Sequence, residues 1–189
     1  MSRRPLTSLA CALIALGAAA AGTGSAAGVD GPAQWRSFDI LVALQNLPRN
    51  YTCDDLWYRF RDLLLAIGAR AADVKILPYQ CANTHGVSER SPQVQLQFEL
   101  PVGLTPAEAR YADTSAVRRR VRIAPGTLKH LTSADCELLK QMSSGLLAAL
   151  PVQVMSAPLD CGESGAARGR FALEVQALIP SGASSPSGA

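Results

Sequence analysis

The sequence predicts an α+β protein: a tandem duplication of a strand-helix-strand-strand unit, with antiparallel sheet, helices packed on one face and one disulfide per repeat. Three observations predict it. The cysteines recur at similar steps, 28 residues from Cys53 to Cys81 and 25 from Cys136 to Cys161. An alternating strand ending in proline follows each second cysteine, reaching Pro101 after 20 residues and Pro180 after 19. Each first cysteine is followed at one fixed distance by a leucine-rich run, "DLLLAI" at 62–67 and "GLLAAL" at 145–150.

The chain opens with Arg3 and Arg4, an Ala-rich apolar run over 6–21, and the small residues Ser25, Ala26 and Ala27. This is the pattern of a secretory signal peptide, residues 1–27, cleaved near Ala27. The competing reading is a membrane anchor, but the run falls short of the ~20 strongly apolar residues that a span needs. "SRRPLT" approaches the twin-arginine pattern and lacks its aromatic residue. Cys11 leaves with the leader. The expected location is periplasmic or secreted, with no stable membrane span in the mature chain. Without Arg3 and Arg4, the 18 basic residues become 16, against 15 acidic ones. That balance argues against nucleic-acid binding, which needs a strong basic field.

The expected organisation is a flexible segment at 28–37, repeat 1 at 38–101, a linker at 102–116, repeat 2 at 117–180 and a disordered tail at 181–189. Each repeat opens on a strand, "FDILVALQ" at 38–45 and "VRRRVRIA" at 117–124. The first helix, 51–69, turns Leu56, Phe60, Leu63, Leu64 and Ile67 to one side. Thr52 is its N-cap with Asp55 three residues on, and Gly68 its stop. The second helix, 133–150, uses Leu139, Met142, Leu146, Ala149 and Leu150, is capped by Thr132 or Ser133, and ends at Pro151. The middle strands are 73–81 and 152–161, with Pro78 and Pro158 marking edge or terminating positions. The final strands alternate: Val94, Leu96, Phe98 and Leu100 face one way, as do Phe171, Leu173, Val175, Ala177 and Ile179.

A helix packed antiparallel on its next strand brings its own start near that strand's end. The predicted disulfides are therefore Cys53–Cys81 and Cys136–Cys161, one staple per repeat. The alternative is a reactive thiol at a helix N-terminus, but each helical cysteine has an equivalent partner. Taken twice, the order of elements resembles the duplicated modules of the GyrI-like small-molecule-binding superfamily. The resemblance is one of element order and brings no motif or residue with it.

The chemical inventory predicts no enzyme. His85 and His130 lie in separate loops, and there is no nucleophile elbow, phosphate loop or zinc-protease motif. No catalytic residue, metal or cofactor is expected. Two surfaces are candidates for binding. Arg118, Arg120 and Arg122, spaced by two along one strand, form a basic ladder that could hold an anion; cross-strand pairing with Glu99 or Glu174 is the alternative. Tyr58 and Leu65, with Trp57 at the rim, fall opposite the packed side of the first helix and mark a partner surface, unless the segment around Trp35 covers them. The leading function is a non-enzymatic adaptor for another envelope or secreted protein. The alternative is a small-molecule-binding protein whose ligand lies in the cleft between the repeats.

Overall fold

The computed structural model describes residues 30–79, 81 and 91–182. The predicted signal peptide, the end of the tail and His85 lie outside the described residues. Eight strands and two α-helices follow in the order β1 (Gly31–Ala43), α1 (Cys53–Ala66), β2 (Lys75–Tyr79), β3 (Gln93–Gly103), β4 (Thr114–Ile123), α2 (Cys136–Gln141), β5 (Gln153–Ser156), β6 (Leu159–Cys161), β7 (Ala167–Phe171) and β8 (Leu173–Pro180). Six strands make one antiparallel sheet in the order β2-β3-β1-β4-β8-β5. The protein is α+β, with antiparallel sheet and two disulfides.

The sheet has two three-stranded halves. β1 pairs with β3 from Ala33↔Gly103 to Ala43↔Gln93, and β4 with β8 from Ala116↔Pro180 to Ile123↔Leu173. Within the sheet, the halves pair where the starts of β1 and β4 overlap, from Gly31↔Ala116 to Ala33↔Thr114. Every apolar position predicted to alternate in the final strands is buried, although Phe171 closes β7 and β8 itself starts at Leu173. These residues join both helices in one core cluster.

The start of β1 corrects one expectation. Residues 31–37 were expected to be flexible, yet the strand begins at Gly31. The lever is Asp113, whose Oδ1 accepts the Trp35 N–H at 3.0 Å. Ladder bonds to β3 then hold a stretch that carries no strong apolar pattern of its own. The linker is correspondingly shorter, because β3 runs on to Gly103 and β4 starts at Thr114.

α1 is fixed at both ends by its own sequence. Thr52 accepts from the Asp55 N–H while the Asp55 carboxylate accepts from Thr52, a complete capping box. Burial pushes the Asp55 carboxyl up, but the bonds from Thr52 and the Arg59 guanidinium outweigh it and hold the group below its ordinary value. At the other end the Ala69 N–H donates to Leu64 and the Gly68 N–H to Leu65, a Schellman closure. Gly68 has φ +99°, and a Cβ there would lie 2.5 Å from the Leu178 carbonyl oxygen. Gly68→Ala is expected to cost about 1–3 kcal/mol from its dihedral alone, plus the displacement of β8. Gly126 is the control, since its φ is +84° and a Cβ there would meet nothing within 4 Å. Urea midpoints should fall further for Gly68→Ala than for Gly126→Ala; equal losses would remove the contact from the account.

The second helix departs from its pattern. α2 ends at Gln141, a π turn spans Met142–Leu146, and a 3-10 turn spans Leu147–Ala149. Ser144 Oγ bonds back to the Lys140 and Gln141 carbonyls at 3.2 and 3.3 Å, which loosens a run already weak in helix formers. The predicted Leu139, Met142, Leu146 and Leu150 are buried, and the buried side is wider than expected. Leu138 and Leu147 are buried, whereas the predicted Ala149 is exposed.

The predicted strand at 152–161 is two strands, broken at Ala157 and Pro158, where proline has no N–H for a ladder. β5 remains the sheet edge, and β6 leaves to pair with β7 in a separate two-stranded sheet. β2, which contains Pro78, is the opposite edge. Both disulfides join the predicted cysteines, with Cα–Cα distances of 5.3 Å for Cys53–Cys81 and 5.6 Å for Cys136–Cys161.

Candidate functional site

Both ends of the chain's middle segment converge on one groove of about 620 Å³. Leu65 and Ala66 in the last turn of α1, with residues 68–71 after it, form one wall. β4 and the loop behind it form the other, and Trp35, Ile179 and Pro180 close the ends. The local chemistry explains the shape. The Schellman turn at Gly68 swings the chain off α1, and the Arg70 N–H then donates to the Glu99 carbonyl of β3 at 3.2 Å. That leaves Leu65, Ala66 and Ala69 along a wall that no strand covers.

The facing wall is held by a latch. Asp62 Oδ2 accepts from the His130 backbone N–H at 3.0 Å and lies 2.9 Å from His130 Nδ1. This ties the 124–132 loop to α1 and sets Thr127 and Leu128 into the groove. Tyr58 stacks on the His130 ring, with centroids 4.6 Å apart. His130 lies in a loop, yet it is half-buried, because Tyr58 and Asp62 hold it against the helix.

The candidate residues therefore divide between places. Leu65 is half-buried and lines the groove with Trp35. Tyr58 is 44% exposed and packs edge-on against Trp57, whose other neighbour is the Arg61 guanidinium at 5.5 Å. Trp57 and Tyr58 thus share a surface that Leu65 does not join. Trp35, the residue that could have covered them, lies instead under Arg70 at 4.3 Å.

The arginine ladder is also divided. Arg118, Arg120 and Arg122 are all exposed. Arg120 and Arg122 border the groove, and Arg118 borders a separate depression of about 210 Å³ beside Val152 and Gln176. Arg122 Nη1 is 3.7 Å from Glu174 on the neighbouring strand, which is the cross-strand pairing weighed against the ladder. Arg119, one position out of that series, lines the groove as well.

One cluster was not foreseen. Asp135 is fully buried at the start of α2. Its Oδ2 accepts from the Thr132 N–H and hydroxyl, both at 2.8 Å. Its Oδ1 accepts from the Tyr51 hydroxyl at 3.0 Å and lies 3.0 Å from Arg59 Nε. The Arg59 approach is close in distance but poorly aligned, since Nε makes no hydrogen bond, so it is an ion pair. Burial, and then the Asp135 carboxylate, push the Tyr51 phenol far above its ordinary value, so it stays a neutral donor. The signal available in the sequence was the shared Thr-x-x-Asp of both helix starts, Thr52 to Asp55 and Thr132 to Asp135.

Among the described residues no group of three or more His, Cys, Asp or Glu side chains could hold a metal ion, and no helix is long and apolar enough to cross a membrane. No family model, no curated protein and no solved structure matches this chain.

Proposed function

We propose that this chain is an exported, non-enzymatic binding protein that holds a small ligand in the groove between its two halves. The groove carries this reading. Its volume falls within the ~300–1,000 Å³ typical of small-molecule sites, and its lining comes from both halves, with Trp35, 65–66 and 68–71 from the first and 119–122, 127–128 and 179–180 from the second. Two disulfides fit an oxidising, exported setting. A duplicated origin for the halves is part of the proposal. The orders β2-β3-β1 and β4-β8-β5 support it, because each places the first strand of its unit innermost, the last strand beside it and the middle strand at the edge. Each helix also opens on a disulfide cysteine.

The test uses N-phenyl-1-naphthylamine, a neutral apolar fluorophore, with the chain from Gly28. The expected result is saturable binding near one site per chain, with a change in Trp35 emission that Trp35→Phe removes. Ala71 lines the groove and is exposed, so Ala71→Phe should fill the space without disturbing the core and abolish binding. No binding, or equal binding by Ala71→Phe, would end the groove reading.

The exposed Tyr58, beside Trp57, favours a second reading, an adaptor that docks an envelope or secreted protein on α1. Since Leu65 belongs to the groove, Tyr58→Ala separates the two. It should leave the naphthylamine titration unchanged and lose a partner chemically cross-linked in the native envelope. Unchanged cross-linking would remove the adaptor reading.

A further inference from the structure

We infer that the groove is selective for single-chain amphiphiles with an anionic head, such as fatty acids or alkyl sulfates. This rests on the groove being a ligand site and adds the class of ligand. The apolar lining supplies the first half of the chemistry, with Leu65, Val121, Leu128 and Ile179 along the groove. The second half is charge. Four arginines, Arg70, Arg119, Arg120 and Arg122, line the same groove, and among the described residues no aspartate, glutamate or lysine does.

The ion pairs of Arg70 and Arg122 do not close the site to an anion. Arg70 reaches Glu99 at 3.2 Å and Asp73 at 3.4 Å, and Arg122 reaches Glu174 at 3.7 Å. All three pairs involve well-exposed guanidinium groups, and ion pairs in water hold weakly. Arg120 makes no ion pair among the described residues. A carboxylate or sulfate entering beside an apolar wall meets a less hydrated environment, where a guanidinium bonds an anion more strongly. Arginine suits this role because it is weakly hydrated and presents a planar fork to a carboxylate. An apolar tail alone would be satisfied by the apolar lining; the concentration of one sign of charge at the mouth is what selects the head.

The experiment is displacement of N-phenyl-1-naphthylamine by decanoate, decanol and decyltrimethylammonium, all below micellar concentration. Decanoate should displace the probe at a concentration lower by about tenfold than decanol, the scale of one charge-assisted hydrogen bond, and decyltrimethylammonium should be weakest. In Arg120→Gln/Arg122→Gln the advantage of decanoate should largely vanish while decanol is unchanged. Added salt should reduce the same advantage. Equal displacement by decanoate and decanol, or tighter binding of the cation, would overturn the inference and leave the groove reading standing. Failure of the naphthylamine itself to bind would overturn both. Flotation with phosphatidylglycerol vesicles that Ala71→Phe abolishes would assign the groove to a membrane surface, and a concentration-dependent dimer that expels the probe would assign it to a second copy. Either would also overturn the inference.

Discussion

Replacing Asp135 with alanine is expected to destabilise the protein by about 3–5 kcal/mol, the usual cost of removing one partner from a buried ion pair. Arg59, only 8% exposed, would keep its charge next to the core and lose one of its two carboxylates, leaving Asp55, 2.9 Å from Nη1, as its counter-charge. The Tyr51 hydroxyl would lose its acceptor, and the start of α2 would lose its reciprocal cap from Thr132. Arg49, 3.6 Å away and one-third exposed, can turn to water and so limits the damage. Asp135→Asn should cost less, since the amide oxygen still accepts while the charge is lost. Replacing both partners with apolar residues, Asp135→Leu with Arg59→Met, should recover much of the loss, because a buried pair is often no more stabilising than good packing. Urea unfolding of these variants and of Arg59→Met alone measures this. A loss below about 1 kcal/mol for Asp135→Ala, or simple addition of the Arg59 and Asp135 effects, would show that the cluster is not one coupled unit.

The position of this cluster explains why it was hard to read. Thr52-x-x-Asp55 was legible as a capping box because local spacing alone specifies it. Asp135 sits in the same local pattern, but its burial depends on Tyr51 and Arg59 arriving from more than 70 residues away, and no local pattern carries that. The same contrast runs through the fold. Alternation placed β3 and β8, and 3.6-residue periodicity placed α1, because each signal lives within one element. The register that lets β1 and β4 meet over only a few residues, and the departure of β6 to pair with β7, are set by non-local pairing. The β1 start was missed for that reason: residues 31–37 have no strong alternation, and pairing with β3 and the Asp113 side chain orders them.

The groove was legible as a place and not as a surface. A cleft between the halves was an expectation from the duplicated pattern, and Leu65 and two of the ladder arginines were singled out as polar and apolar oddities on otherwise regular elements. What periodicity could not provide was their convergence. Leu65 was grouped with Tyr58 because both lie opposite the packed side of α1, whereas the turn at Gly68 places Leu65 beside β4 and leaves Tyr58 to His130. Arg119 is one position out of the ladder's alternation, yet it lines the groove with Arg120 and Arg122.

Removing either disulfide is expected to cost about 3.5 kcal/mol in the chain-entropy model, given loops of 28 and 25 residues. The two should still be unequal. Cys136 is fully buried, while Cys53 is half-buried. Cys136→Ala/Cys161→Ala therefore adds a small cavity to the lost cross-link, next to the Asp135 cluster, and should be the worse of the pair. Each bridge joins one buried and one half-buried cysteine, but Cys81 keeps 9% of its surface where Cys136 keeps none, so Cys53→Ala/Cys81→Ala leaves less of a void. Losing both is expected to cost about 7 kcal/mol on the same model, comparable to the entire ~5–15 kcal/mol stability of a typical domain. The chain without either bridge should thus be unfolded or nearly so at 37 °C, and the reduced protein should behave likewise. Urea midpoints of the two double variants, with circular dichroism of the fully reduced protein, measure this. A greater loss from Cys53→Ala/Cys81→Ala would mean that burial at Cys136 adds nothing. A reduced protein that keeps its near-ultraviolet signal would mean that the core, drawn from both halves, suffices without its staples.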